Sequence, residues 1–230
     1  MEMNSLYEVK EYSFNKFMTS TFGYMTLGLI VTSITCLFGV ELFYPIINTF
    51  SGVMFLFIAQ IGIAIYFSHS LFKMSHGTAL SCFLIYSFLT GVSLSYLPII
   101  YGGGTLFIAV AMTSVVFISM LVIGHTTRMD LSKLRPYLYG GLTALILTTV
   151  LNVFLFRSFG LDAILNYAGI IIFLGLIAYD MQNLRNIYAQ GQIEQNMGAK
   201  LAIYGAFELY LDFINLFIRV LQIVGSRSDD

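Results

Sequence analysis

Seven apolar runs of about 20 residues each, joined by short connections, leave this chain one class of fold. Wound as a helix with a rise of about 1.5 Å per residue, each run crosses a hydrocarbon layer of roughly 30 Å. Helices satisfy their own backbone donors and acceptors, as lipid requires. The runs fall near residues 17–40, 49–67, 77–98, 105–124, 137–156, 163–184 and 200–224. Of 230 residues, 58% are hydrophobic and 10% charged, whereas soluble domains carry about 25% charged residues. The expectation is an all-α polytopic membrane protein with seven transmembrane helices. Residues 17–224 form one membrane domain, 1–16 a polar cytoplasmic tail and 225–230 a short C-terminal tail.

A net charge of −1 leaves no basic excess to neutralise phosphates, which excludes nucleic acid as a partner. Cys36 and Cys82 lie in apolar runs and read as small hydrophobes, with no disulfide or metal spacing. The first run is too long for a signal-peptide core and ends without a small-residue cleavage site, so it reads as a retained span. Pro45, Pro98 and Pro136 stand at run ends, and Gly102-Gly103-Gly104 reads as the turn between spans three and four. Ser87, Gly91 and Ser95 form a small-residue stripe that lets backbones approach closely.

Lys and Arg sort the connections by side. Eight of them (Lys10, Lys16, Lys73, Arg128, Lys133, Arg135, Arg185 and Lys200) fall on one side, and only Arg157 and Arg227 on the other. By the positive-inside rule the N-terminus is cytoplasmic, and seven spans put the C-terminus outside unless the last segment is re-entrant. Glu41, Asp162, Asp229 and Asp230 then form a solvated outer rim.

The residues that do not suit a membrane are acidic. Glu208, Asp212 and Arg219 lie inside the last run, where a lone charge at mid-depth costs about 2.5–3.5 kcal/mol. Tyr204, Glu208, Asp212, Asn215 and Arg219 share one helical stripe, so that stripe faces something polar. Span six carries Asp180 in its cytoplasmic half with Asn183 one turn on, and span five carries Asn152. Spans six and seven are antiparallel, which lets Asp180 and Asp212 meet at similar depth. Two carboxylates close together in low dielectric do not both stay ionised and share a proton. A single proton bridges the pair and holds it shut; loss of both protons drives it apart and admits cations. The blander alternative is interhelical glue that fixes register. Arg219 stands seven residues from Asp212, about 10 Å along the axis, beyond direct pairing.

Ala178-Tyr-Asp-Met-Gln182 and Leu209-Tyr-Leu-Asp-Phe-Ile-Asn-Leu-Phe217, with Leu151-Asn-Val-Phe154 and Tyr86-Ser-Phe-Leu-Thr-Gly-Val-Ser-Leu-Ser95, resemble the Bax inhibitor-1 (transmembrane Bax inhibitor motif) family over essentially the whole chain. The resemblance implies seven helices around a central C-terminal helix. It also implies a pH-sensitive calcium leak gated by an aspartate pair, which falls here on Asp180 and Asp212. Other members suppress cell death or associate with membrane proteases. The family commonly carries an arginine near the cytoplasmic end of span two that latches to the span-six aspartate. Tyr66-Phe-Ser-His-Ser-Leu-Phe-Lys73 has none there, which leaves His69 and Lys73 as the substitutes.

The functional expectation is a passive, proton-sensitive cation pathway with no cofactor and Ca²⁺ as the permeant ion. Asp180 and Asp212 form its transient metal site and pH sensor, with Glu208, Asn215, Arg219, Asn152 and Asn183 in support. A loose oxygen shell suits permeation, because a tightly held ion does not leave. The alternative is a non-transporting regulator that binds other membrane proteins, such as a quality-control protease. An intramembrane aspartyl protease fits less well: Tyr210 stands where such enzymes carry a glycine before the second aspartate, and no proline follows Pro136. A rhomboid-type serine protease is disfavoured because Gly91-Val-Ser-Leu-Ser95 lacks the closing glycine and no histidine lies deep in a span. A retinal receptor lacks its mid-depth lysine. Short tails favour a bacterial cell membrane.

Overall fold

A computed structural model describes residues 13–189 and 195–226. The N-terminal tail up to residue 12, part of the connection between spans six and seven, and residues 227–230 lie outside the described residues, and with them much of both predicted tails. Eight α-helices follow in order: α1 Phe14–Phe38, α2 Val40–Ile47, α3 Phe50–Ser70, α4 His76–Leu94, α5 Leu97–Thr126, α6 Arg135–Leu151, α7 Phe159–Ala189 and α8 Gln195–Ser226. Among the described residues there is no strand. Seven segments are long and apolar enough to cross a membrane, α2 being the short exception and α6 counting together with the turns at its two ends.

The outer faces are apolar, as lipid requires. Phe55, Phe107, Val115, Leu155 and Ile171 are each more than two-thirds exposed, which would be an aggregation hazard in water and is ordinary in hydrocarbon. The last span differs from the rest. Of its most apolar window 61% is buried, against 11–33% for the other six.

The chain divides into two compact units, Met1–Leu97 with Ile187–Glu208, and Pro98–Asn186 with Leu209–Asp230. In the first, α4 packs closely on α1. A Cβ at Gly91 would stand 2.6 Å from Thr35 Cβ and 2.7 Å from the Thr32 carbonyl oxygen, and Thr32 donates to the Ser87 carbonyl at 2.9 Å. The small-residue stripe of span three thus works as close-packing logic expects. Gln60 on α3 donates to Leu89 O and Ser93 Oγ of α4. Phe207, on the part of α8 in this unit, sits among Phe67, Phe83 and Tyr86 with ring centroids 4.7–6.0 Å away.

In the second unit α5 begins earlier than hydropathy suggests. The break after α4 falls at Ser95 and Tyr96. Pro98 sits in the first turn of α5, where its missing N–H costs least. The glycine triplet is therefore a kink inside α5 rather than the turn between spans. Gly102 takes φ +71°, open to glycine and strained for other residues. Pro45 likewise lies inside α2 rather than between elements. At the end of α6 the chain passes through one π turn, Asn152–Phe156, and Arg157 takes the left-handed region at φ 49°.

Candidate functional site: a buried carboxyl pair between two antiparallel helices

All residues of the site belong to the second unit. Asp180 on α7 and Asp212 on α8 are each 5% exposed, and their carboxyls are hydrogen-bonded to one another. Such a bond requires a proton on one of the two oxygens. Asp180 Oδ1 is buried with no hydrogen-bond partner among the described residues, which leaves an acceptor aimed into the protein. On the same two helices Ile177, Leu209, Tyr210 and Leu216 are fully buried.

Helix α7 is held in place by two neighbours. Gly124 of α5 touches its backbone, and a Cβ there would overlap the Ala178 carbonyl and stand 2.9 Å from Ala178 Cα. Tyr179 meets the ring of Tyr139 on α6 edge-on, with centroids 6.3 Å apart. Arg135, at the start of α6, lies over that Tyr139 ring at 5.8 Å, and its positive charge acts on Asp180.

The connection between α5 and α6 is clamped to the same end of α7. Gln182 uses both halves of its amide: Nε2 donates to Met129 O at 2.7 Å, and Oε1 accepts from Leu131 N at 2.8 Å. Arg185 donates to the His125 carbonyl. Inside the connection Asp130 caps a 3₁₀ turn by accepting from Ser132 N at 3.0 Å. Hydrogen bonds from Ser132 hold the Asp130 carboxyl below its usual range, so it is charged at neutral pH.

A second polar cluster lies at the opposite end of α7. Arg219 Nη1 donates to Asn166 Oδ1 at 2.9 Å and feels the charge of Asp162. Asn152 Nδ2 donates to Asp162 Oδ1 at 2.6 Å and to Ser158 O at 3.2 Å, while its Oδ1 accepts from Ser158 N at 3.0 Å. Asn152 thus closes the turn after α6 and stands remote from Asp180.

The other anticipated residues are placed as follows. Asn215 turns its amide back to Leu211 O of its own helix at 2.8 Å. Asn183 is half-buried beside the Gln182 clamp. Glu208 is half-buried and belongs to the first unit. So do His69 and Lys73, both exposed, with His69 Nδ1 set 3.1 Å from Ile65 O. Among the described residues no three His, Cys, Asp or Glu side chains cluster as a metal cage. The cation whose field reaches Asp180 is Arg135. In the sequence it counts only as a loop charge, although its place beside Pro136 at a helix start puts it level with the end of α7. Gln182 closes the Ala178–Gln182 segment that carries the family resemblance, but nothing in the sequence assigns it the clamp to the α5–α6 connection.

The chain matches known proteins over nearly its whole length. Residues 14–229 match the family model described as inhibitor of apoptosis-promoting Bax1. An uncharacterized protein of Borreliella burgdorferi is 36% identical over 219 residues, covering 94% of each chain. The inner membrane protein YbhL of Escherichia coli K12 is 34% identical over 215 residues, covering 92% of each.

Proposed function

The chain belongs to the Bax inhibitor-1 family of membrane proteins, and from that premise we propose that it is a passive, pH-sensitive cation leak, with calcium as the permeant ion. The observation that carries this reading is the hydrogen bond between the Asp180 and Asp212 carboxyls inside the bilayer-spanning part of the chain. One proton is enough to hold the two oxygens together. Without it two negative charges face each other in low dielectric, so the helices part or a cation enters between them. Calcium takes six to eight oxygens when held firmly. Two aspartates and water supply a partial shell, which suits passage rather than storage. The lysine and arginine count favours a cytoplasmic N-terminus and α5–α6 connection in a bacterial cell, with the protein in its plasma membrane. The E. coli relative carries the name inner membrane protein.

The test is calcium flux in proteoliposomes. Wild-type flux rises from acid to neutral pH, and Asp180→Asn removes that rise. Identical flux from wild-type and Asp180→Asn vesicles at every pH takes the aspartates out of the mechanism.

Arg135 sets where on the pH scale the change falls. Asp180 is governed first by its burial, then by the hydrogen bond with Asp212 of α8, and the charge that reaches it is Arg135 of α6. A cation favours the ionised form, so with Arg135 present the bridging proton leaves at lower pH. Arg135→Gln is therefore expected to move the flux midpoint to higher pH by roughly one unit, with the maximal flux kept. An unchanged midpoint removes Arg135 from the gate.

A further inference from the structure

Helices α7 and α8 meet at two polar points. Asp180 bonds Asp212, and Asn166 bonds Arg219. On α8 the step from Asp212 to Arg219 is seven residues, two turns, so both side chains leave the same face of the helix. On α7 Asp180, Phe173 and Asn166 stand at successive steps of seven along one face. The two contacts therefore mark the ends of one seam. Between them that seam is apolar and closed: Phe173 is 3% exposed, Leu176 3% and Leu216 0%.

Room for the arginine is built into α7. Gly169 is buried, and a Cβ there would stand 3.0 Å from Arg219 Nε and 3.3 Å from its Cδ. The guanidinium thus lies across the backbone of α7, tied by Asn166 and attracted by Asp162. A charge inside a span is costly to maintain. Merely fixing register would not need one, since an amide pair would serve.

We infer that Arg219 is the charge barrier at the outer end of the cation pathway, one seam beyond the aspartate pair, and that it limits cation flux while the pair is open. This inference rests on the leak reading above. Once that seam has parted, a cation leaving the aspartates toward the α6–α7 turn passes a fixed positive charge anchored to α7. Positive groups lining a pore disfavour cations by ordinary Coulomb repulsion.

The experiment is calcium flux and reversal potential in proteoliposomes at neutral pH. Arg219→Gln is expected to raise calcium flux on the order of a hundredfold, the factor that one charge about 10 Å from a doubly charged ion supplies at an effective dielectric constant of about 20. Arg219→Lys keeps the charge and stays near wild type. A variant that folds poorly could also leak, so a second readout separates charge from damage. In a background with Cys36→Ala and Cys82→Ala, Arg219→Cys is modified with a cationic or an anionic thiosulfonate of similar size. The cationic reagent restores low flux and the anionic one does not. Equal flux from wild type and Arg219→Gln overturns the inference, as does equal action of the two reagents. The double variant Arg219→Gln with Asp212→Asn separates the two proposals. A high, pH-independent leak there leaves the barrier standing and removes the aspartate gate. A pH-dependent wild-type flux that Arg219→Gln leaves unaltered does the reverse.

Discussion

Asp212→Asn is expected to insert and fold as the wild type does, yet to lose the dependence of flux on pH. Asparagine has the shape of a protonated aspartic acid and brings its own donor, so the contact with Asp180 persists whether or not a proton is available. What disappears is the repulsion between two carboxylates, about 4 kcal/mol for unit charges 4 Å apart at an effective dielectric constant of about 20. That repulsion drives opening in the proposed mechanism, and an effect of that size exceeds a hundredfold in an open-to-closed ratio. Flux through the variant should stay at the acid-pH level of the wild type, a loss of more than about tenfold at neutral pH. A variant whose flux still climbs toward neutral pH would mean that the proton is sensed elsewhere.

The second large effect is mechanical. Gly124→Val should destabilise the protein by about 3 kcal/mol, the upper part of the overpacking range, and lower its melting midpoint in detergent by roughly 10 °C. The reason is what the new carbon meets. At most core positions an added methyl pushes against a side-chain end that can rotate away. Here it meets the Ala178 carbonyl and Cα, which move only if α5 and α7 separate. Gly124→Ala should show a smaller shift in the same direction. Because Ala178 is two residues from Asp180, both variants should also disturb the pH response. A valine variant that melts with the wild type would show that α5 does not press on α7 in the membrane.

The spans were legible because hydrocarbon imposes a length and a polarity that a sequence cannot disguise. Hydropathy located all seven to within a few residues, except at α5. There the glycine triplet looks like a turn, whereas a positive φ at one glycine allows a kinked helix to continue. The carboxyl pair was legible for a similar reason. An acid in an apolar run calls for a partner, and antiparallel neighbours offer one at matching depth. Arg135, Gln182 and Asn166 were not legible in this way. Polar residues near span ends are expected whether or not they do anything, so nothing in composition separates the Gln182 clamp from its neighbour Asn183. Asn152 illustrates the converse. It stood out as a polar group amid Val, Leu and Phe, but its amide is occupied by Ser158 and Asp162 in closing a turn.

The most buried helix follows the six other spans in the sequence. A chain emerging from the ribosome at about 5–20 residues per second delivers the six earlier spans to the bilayer before α8 exists. Throughout that interval Asp180 is a solitary acid in a nascent assembly, carrying an insertion penalty of about 2.5–3.5 kcal/mol that Asp212 has yet to relieve. Truncation just before α8 should therefore yield a product that the insertion machinery holds or quality-control proteolysis removes. Arrival of α8, rather than of any one earlier segment, is then expected to be what stabilises the inserted bundle.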